Sequence, residues 1–147
     1  MAKESSFKKW IIKNASKDWL FQTIETSTGS GVPDIFMCYN GCQAWIETKA
    51  TNSNKCYMRI SQWRWFYRLC TRGGFGLLII KRENKRQVDV YLARDLIQFS
   101  PHSGCELKGD DIIFPDKVKP SFSYKLGTGN GMFYKKLSQL LERSFDE

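Results

Sequence analysis

The chain has 147 residues, 41% of them hydrophobic and 26% charged, a balance that builds a globular core and excludes a disordered or fibrous protein. Twenty-three Lys and Arg against fifteen Asp and Glu leave a formal net charge of +8, which favours a polyanionic partner: nucleic acid first, an anionic membrane surface second. No apolar run approaches the roughly 20 residues of a membrane span and the amino terminus lacks a signal-peptide h-region, so no membrane contact and a cytoplasmic location, in a bacterial or phage-infected host cell, are expected.

Residues 3 to 15 carry Phe7, Trp10, Ile11 and Ala15 at helical spacing, an amphipathic helix whose other face bears Lys8, Lys9 and Lys13. Glu4 lies in its first turn, where a carboxylate also complements the helix dipole. Trp19 to Thr26 alternates as a strand, and Ser27 to Gly31 is a loop by composition. Two apolar runs then flank Asn40-Gly41, the dipeptide best suited to a two-residue hairpin turn, since both positions need positive φ. After Lys49 the polar, helix-averse stretch Ala50 to Lys55 is expected to loop at the mouth of a site.

Residues 59 to 72 predict a helix. Ile60, Trp63, Phe66, Tyr67 and Cys70 form an apolar stripe assigned to the core, and Arg59, Arg64, Arg68 and Arg72 form a basic companion surface. Gly73-Gly74 ends it, and Phe75 to Ile80 is suited to a buried strand. A basic turn, Lys81 to Arg86, leads to the alternating strand Gln87 to Leu92. From about Ser100 to Gly131 periodicity is weak, and irregular chain with one short strand near Ile112 to Phe114 is expected. Phe133, Leu137, Leu140 and Leu141 make an amphipathic closing helix that caps the core or meets a second copy. The order α-β-β-β-α-β-β, then an irregular segment and a C-terminal helix, implies an α/β fold with a mixed central sheet flanked by helices, as a single domain over residues 1–147.

Chemistry concentrates at the hairpin. With the turn at Asn40-Gly41, paired residue numbers sum to 81, and Asp34 falls opposite Glu47 at a non-hydrogen-bonded pair. Lys49, two residues on, shares the face of Glu47. Two facing carboxylates destabilise a sheet unless something compensates them, and a divalent cation does so economically. Val32, Ile35, Phe36, Met37, Ala44, Trp45 and Ile46 make both strands apolar on both faces, the middle of a sheet, where charges are not kept for solubility.

These residues resemble the PD-(D/E)xK nuclease superfamily: Pro33-Asp34, then Glu47-Thr48-Lys49, with the small-residue approach Gly29-Ser30-Gly31. The Gly-Val-Pro-Asp form, the apolar-Glu-x-Lys strand and a glutamine on the next helix, Gln62, look most like the VRR-NUC and Holliday-junction-resolvase-like (phage-type) branch. The resemblance covers about residues 3 to 92 and leaves residues 100–147 unmatched. It implies a restriction-endonuclease-like core and a Mg2+ held by Asp34, Glu47 and the carbonyl of Thr48, with Mn2+ expected to substitute. It further implies a catalytic set of Asp34, Glu47, Lys49, Gln62 and Glu4. Lys49 would orient the attacking water or stabilise charge on the phosphate, Gln62 would orient water or phosphate, and Glu4 would hold a second metal or fix Lys49.

Phosphate contacts are expected from Lys8, Lys9, Lys13, Lys55, Arg59, Arg64, Lys81, Arg82, Lys85 and Arg86, with steep salt dependence. The expected function is a Mg2+-dependent DNA endonuclease selective for branched DNA, acting as a homodimer because a junction needs two cuts. The alternatives are a nonspecific or nicking nuclease of phage or mobile-element DNA metabolism, and a non-catalytic nucleic-acid-binding or nuclease-inhibiting protein that keeps the fold. Elsewhere the sequence offers little chemistry. His102, the one histidine, has no triad companions. Asp110-Asp111 predicts a turn or helix start. Gly127-Thr128-Gly129-Asn130-Gly131 lacks the lysine of a P-loop and predicts a flexible turn. Five cysteines, at 38, 42, 56, 70 and 105, are odd in number and lack CxxC spacing; reduced packing thiols are expected rather than zinc ligands or disulfides.

Overall fold

Alternating apolar residues on adjacent strands organise the molecule into layers. The computed structural model describes residues 2–25 and 31–145. Helix α1 (Ala2–Lys13) leads into strands β1 (Trp19–Thr23), β2 (Ile35–Tyr39), β3 (Cys42–Thr51) and β4 (Tyr57–Arg59), then α2 (Ile60–Thr71), β5 (Gly76–Arg82) and β6 (Gln87–Leu92). A short α3 (Ala93–Leu96), strands β7 (Glu106–Lys108), β8 (Asp111–Ile113) and β9 (Phe122–Lys125), and α4 (Asn130–Phe145) complete the chain. Six strands form the central sheet in the order β1-β2-β3-β5-β6-β9. β3 and β5 run parallel and every other neighbouring pair antiparallel, so the mixed sheet flanked by helices is as expected.

Period-two alternation divides the core between the faces. Ile35, Met37, Ala44, Ile46, Leu77 and Ile79 meet Phe7 and Ile11 of α1 and Phe133, Leu137, Leu140 and Leu141 of α4. Leu78 and Ile80 face the other way, onto Trp63 and Phe66 of α2, Leu96 of α3 and Met58 and Ile112 of the small sheet. β5, buried on both faces, is the near-continuous apolar run of a central strand. The α4 stripe is used on this core. Among the described residues no helix is long and apolar enough to cross a membrane.

Several expectations are corrected. β1 stops at Thr23 rather than Thr26, and most of the Ser27 to Gly31 loop, Gly29 and Ser30 included, lies outside the described residues. The stretch after Lys49 is not all loop: β3 runs through Thr51, and Tyr57–Arg59 forms β4. The basic turn is shorter, because β5 continues through Arg82. The C-terminal third is more regular than its periodicity suggests. β8, one residue ahead of the expected strand, pairs with β4 and β7 in a second sheet, and β9 closes the edge of the central one. Asp110 sits in the β7–β8 turn, and its carbonyl accepts the Ile60 N–H at 2.8 Å.

Candidate active site

The hairpin that builds the site follows from its turn. Asn40 and Gly41 both adopt positive φ, 48° and 80°, and the register is the one they dictate, from Tyr39 opposite Cys42 to Ile35 opposite Ile46. Pro33 then ends the ladder because it has no N–H to give. Asp34 is therefore one step past the last paired residue, and its side chain takes over as the partner of the β3 edge. Its Oδ2 accepts the Thr48 N–H at 3.0 Å and the Thr48 hydroxyl at 2.7 Å. Its carbonyl accepts the Ile24 N–H at 2.7 Å. Asp34 thus stands beside Glu47, as the register argued, but clamped at the strand edge.

Glu47 is 2% exposed. Its Oε2 accepts the Gln62 amide N–H at 2.9 Å and lies 3.4 Å from Lys49 Nζ. Its Oε1 is buried with no hydrogen-bond partner. Burial, and next the nearby charge of Asp34, push its pKa from 4.5 to about 8 against the opposing pull of Lys49; Glu4 adds to the rise. Lys49 alone does not offset the burial of this carboxylate and the charge of Asp34. Lys49, also buried, has its ammonium 5.9 Å from the centre of the Tyr57 ring.

Gln62 is anchored at both ends. Its Oε1 accepts the Arg59 N–H at 2.9 Å, closing the first turn of α2, while its amide N–H holds Glu47. Both ends of its amide are thus engaged within the protein, one of them on Glu47. The helix is brought in by Gly31, whose φ of +83° and close approach both demand glycine: a Cβ there would stand 2.1 Å from the Ser61 carbonyl oxygen. One glycine therefore seats the Asp34 segment against the helix that carries Gln62.

Glu4, in the first turn of α1, is close enough for its charge to act on both Glu47 and Tyr57. Among the described residues no three His, Cys, Asp or Glu side chains cluster as a metal-binding group. Sequence reasoning missed two participants: Thr48 as the donor that fixes Asp34, and Tyr57 as the ring beside Lys49. The first had a signal in Pro33, which has no N–H to donate to the facing carbonyl of β3 and so ends the backbone ladder beside Asp34.

The basic residues divide. Lys9, Lys13, Lys55, Arg59, Arg64, Lys85 and Arg86 are exposed, and Lys8 and Lys81 are half-buried, the latter 3.5 Å from Glu83. The β5–β6 turn adjoins the C-terminal end of β3, since the Glu83 N–H donates to the Thr51 carbonyl at 2.8 Å. Arg82 is not a surface cation. It is 1% exposed, pairs with Asp89 at 3.0 Å, donates to the Tyr91 hydroxyl at 2.9 Å and to the carbonyls of Ser53 and Lys55. It ties the 52–55 segment to the sheet and cannot also serve phosphate. Its side chain alternates inward because β5 continues where a turn was expected. Among the described residues the five cysteines form no disulfide.

A mixed sheet flanked by helices, with an Asp, Glu and Lys gathered at the end of its central hairpin, is a restriction-endonuclease-like fold. Among solved structures the chain is similar to an archaeal Holliday junction resolvase, Hjc from Archaeoglobus fulgidus, with a TM-score of 0.56 and 13% sequence identity over 84% of this chain and 92% of that one. At that identity the likeness is one of fold. No family model and no curated protein matches the sequence.

Proposed function

We propose that this protein is a divalent-metal-dependent DNA endonuclease selective for branched DNA, working as a homodimer. The observation that carries the reading is Glu47: a buried carboxylate with an unpartnered Oε1, beside a second carboxylate, held open by Gln62 and Lys49. Unpaired oxygens, no sulfur and few donors suit Mg2+, which keeps several waters and takes one or two protein carboxylates. Asp34, Glu47 and the Thr48 carbonyl would hold it, and bound there it would supply Lewis acidity and a more acidic water.

The chain's own residues account for the rest. Thr48 fixes Asp34, and Gln62 fixes Glu47 through Oε2, leaving Oε1 available to hold a cation. Burial and the neighbouring Asp34 favour the protonated form of Glu47 near neutral pH, and a cation held there would displace that proton. Lys49 sets an ammonium where charge builds on the phosphate oxygens, in a site dry enough to strengthen the interaction. Exposed cations on α1, at the start of α2 and on the β5–β6 turn supply contacts to the DNA backbone that are independent of sequence. The Hjc likeness supports the resolvase-type substrate, and two coordinated cuts at one junction require two copies.

Asp34→Asn and Glu47→Gln test the site. Each should abolish cleavage while leaving DNA affinity within about threefold, because phosphate contacts set the affinity. Retained cleavage in both variants would overturn the assignment, and lost folding would mark the carboxylates as structural.

A further inference from the structure

The α2 helix departs from its expected pattern at Tyr67. Assigned to the core stripe, it is instead 46% exposed, whereas Trp63 one turn earlier is 9% exposed and packs in the core. The two rings stack, with centroids 5.3 Å apart and planes 20° from parallel. Together with Ser61, Arg64 and Arg68 they line a cleft of about 390 Å³. Arg64 and Arg68 are one helical turn apart, as are Trp63 and Tyr67, so a basic row runs beside an aromatic one. Among the described residues neither arginine forms an ion pair. Trp63 also keeps a buried indole N–H with no hydrogen-bond partner.

We infer that this face of α2 is a subsite for one unpaired nucleobase of the DNA substrate, stacked on Tyr67, with the flanking phosphates on Arg64 and Arg68. An open aromatic face beside unneutralised guanidinium groups fits the flat ring and adjoining anions of a nucleotide. The cleft volume also falls within the range of small-molecule pockets. The subsite lies on the catalytic helix. Ser61, at its edge, is the residue against which Gly31 packs, and Gln62 beside it holds Glu47. Tyr67 is five residues beyond Gln62, about 7.5 Å along the helix axis. A base inside a duplex has both faces covered by its neighbours; a base at a branch or in a single strand does not. Stacking here therefore favours branched DNA without reading its sequence. The inference rests on the nuclease reading and names part of its substrate.

The test is fluorescence anisotropy in EDTA with the whole protein on three probes: a single-stranded oligonucleotide, a fork with unpaired bases at the branch, and a blunt duplex. Tyr67→Ala should weaken binding to the first two about tenfold and to the duplex by less than about twofold, while Tyr67→Phe binds all three as the wild type does. A 2-aminopurine at the unpaired position should be quenched by the wild type and not by Tyr67→Ala. The Arg64→Ala/Arg68→Ala double variant should lose affinity on all three. Equal loss on every probe with Tyr67→Ala, no loss on any, or a Tyr67→Phe variant as weak as Tyr67→Ala would overturn the subsite. If Tyr67→Ala binds like the wild type while the wild type cuts branched DNA in Mg2+, the subsite falls and the nuclease reading stands. If the wild type binds none of the probes, both fall.

Discussion

Raising pH in the absence of metal should destabilise the protein, and a divalent cation should cancel the effect. Glu47 releases its proton near 4.5 in the unfolded chain but near 8 when folded. Between those values the folded state binds the extra proton, so the free energy of unfolding falls as pH rises. The stabilisation is complete below 4.5 and lost through 8. At about 1.36 kcal/mol per pH unit the rise from 4.5 to about 8 bounds the loss at about 5 kcal/mol. The other shifted groups titrate outside this window: the Asp89 carboxyl is lowered from 3.8, and the Cys56, Cys70, Cys105, Tyr57, Tyr91 and Tyr134 groups are raised from 9.0 or above. Urea unfolding at a series of pH values in EDTA measures the slope. Repeating it with Mg2+ should flatten the curve, because the cation offsets the carboxylate charge. Glu47→Gln should be flat in EDTA whatever its absolute stability. A wild-type curve that is level or rising across the window, or a Glu47→Gln slope equal to the wild type's, would refute the reasoning.

Gly31→Ala should cost roughly 2–4 kcal/mol in urea unfolding, combining a left-handed backbone with displacement of the Ser61 carbonyl, and should lower cleavage in the surviving fold; a change under about 0.5 kcal/mol would remove the proposed seat. Gln62→Leu should lower kcat about 10- to 100-fold with KM little changed, since it orients Glu47 rather than touching DNA; a KM effect alone would argue for a substrate contact. Arg82→Met should lose about 3–5 kcal/mol of stability by stranding Asp89 and leave the salt dependence of DNA binding unaltered. Lys85→Ala and Arg86→Ala should do the reverse, each lowering the slope of log K against log salt by about 1.

What the sequence made legible is what local chemistry dictates. Asn40-Gly41 has few options besides a tight hairpin, and that turn alone set the register that brings Asp34 to Glu47 and aligns Lys49. Both-face burial marked β5, and 3.6-residue spacing marked α1, α2 and α4. The rest depended on where strands stop and what lies across from them. Thr48 secures Asp34 only because Pro33 ends β2. Arg82 is buried because β5 outlasts its apolar run, and a charge cluster in sequence gives no sign of which member turns inward. β4, β7 and β8 are three residues each, too short for periodicity, and they form a sheet only in one another's company. β9 was legible in principle: Phe122, Tyr124 and Leu126 alternate with Ser123 and Lys125, a signal obscured by the flanking Pro120 and Gly127. Tyr67 belongs to the stripe by spacing, and only the fold shows that it stays outside the core while Leu69 and Cys70 beyond it pack against that core.

The central claim, that Asp34, Glu47 and Lys49 cut branched DNA with a bound divalent cation, is tested most directly by one cleavage assay. Four-way junction, linear duplex and single-stranded DNA are incubated with the wild-type protein in Mg2+ and in EDTA, with Asp34→Asn as the control. The account predicts cleavage of the junction in Mg2+ ahead of the other two, none in EDTA and none by the variant. Cleavage that survives EDTA or Asp34→Asn, or no product on any substrate, would contradict it, and equal cutting of all three would remove the preference for branched DNA.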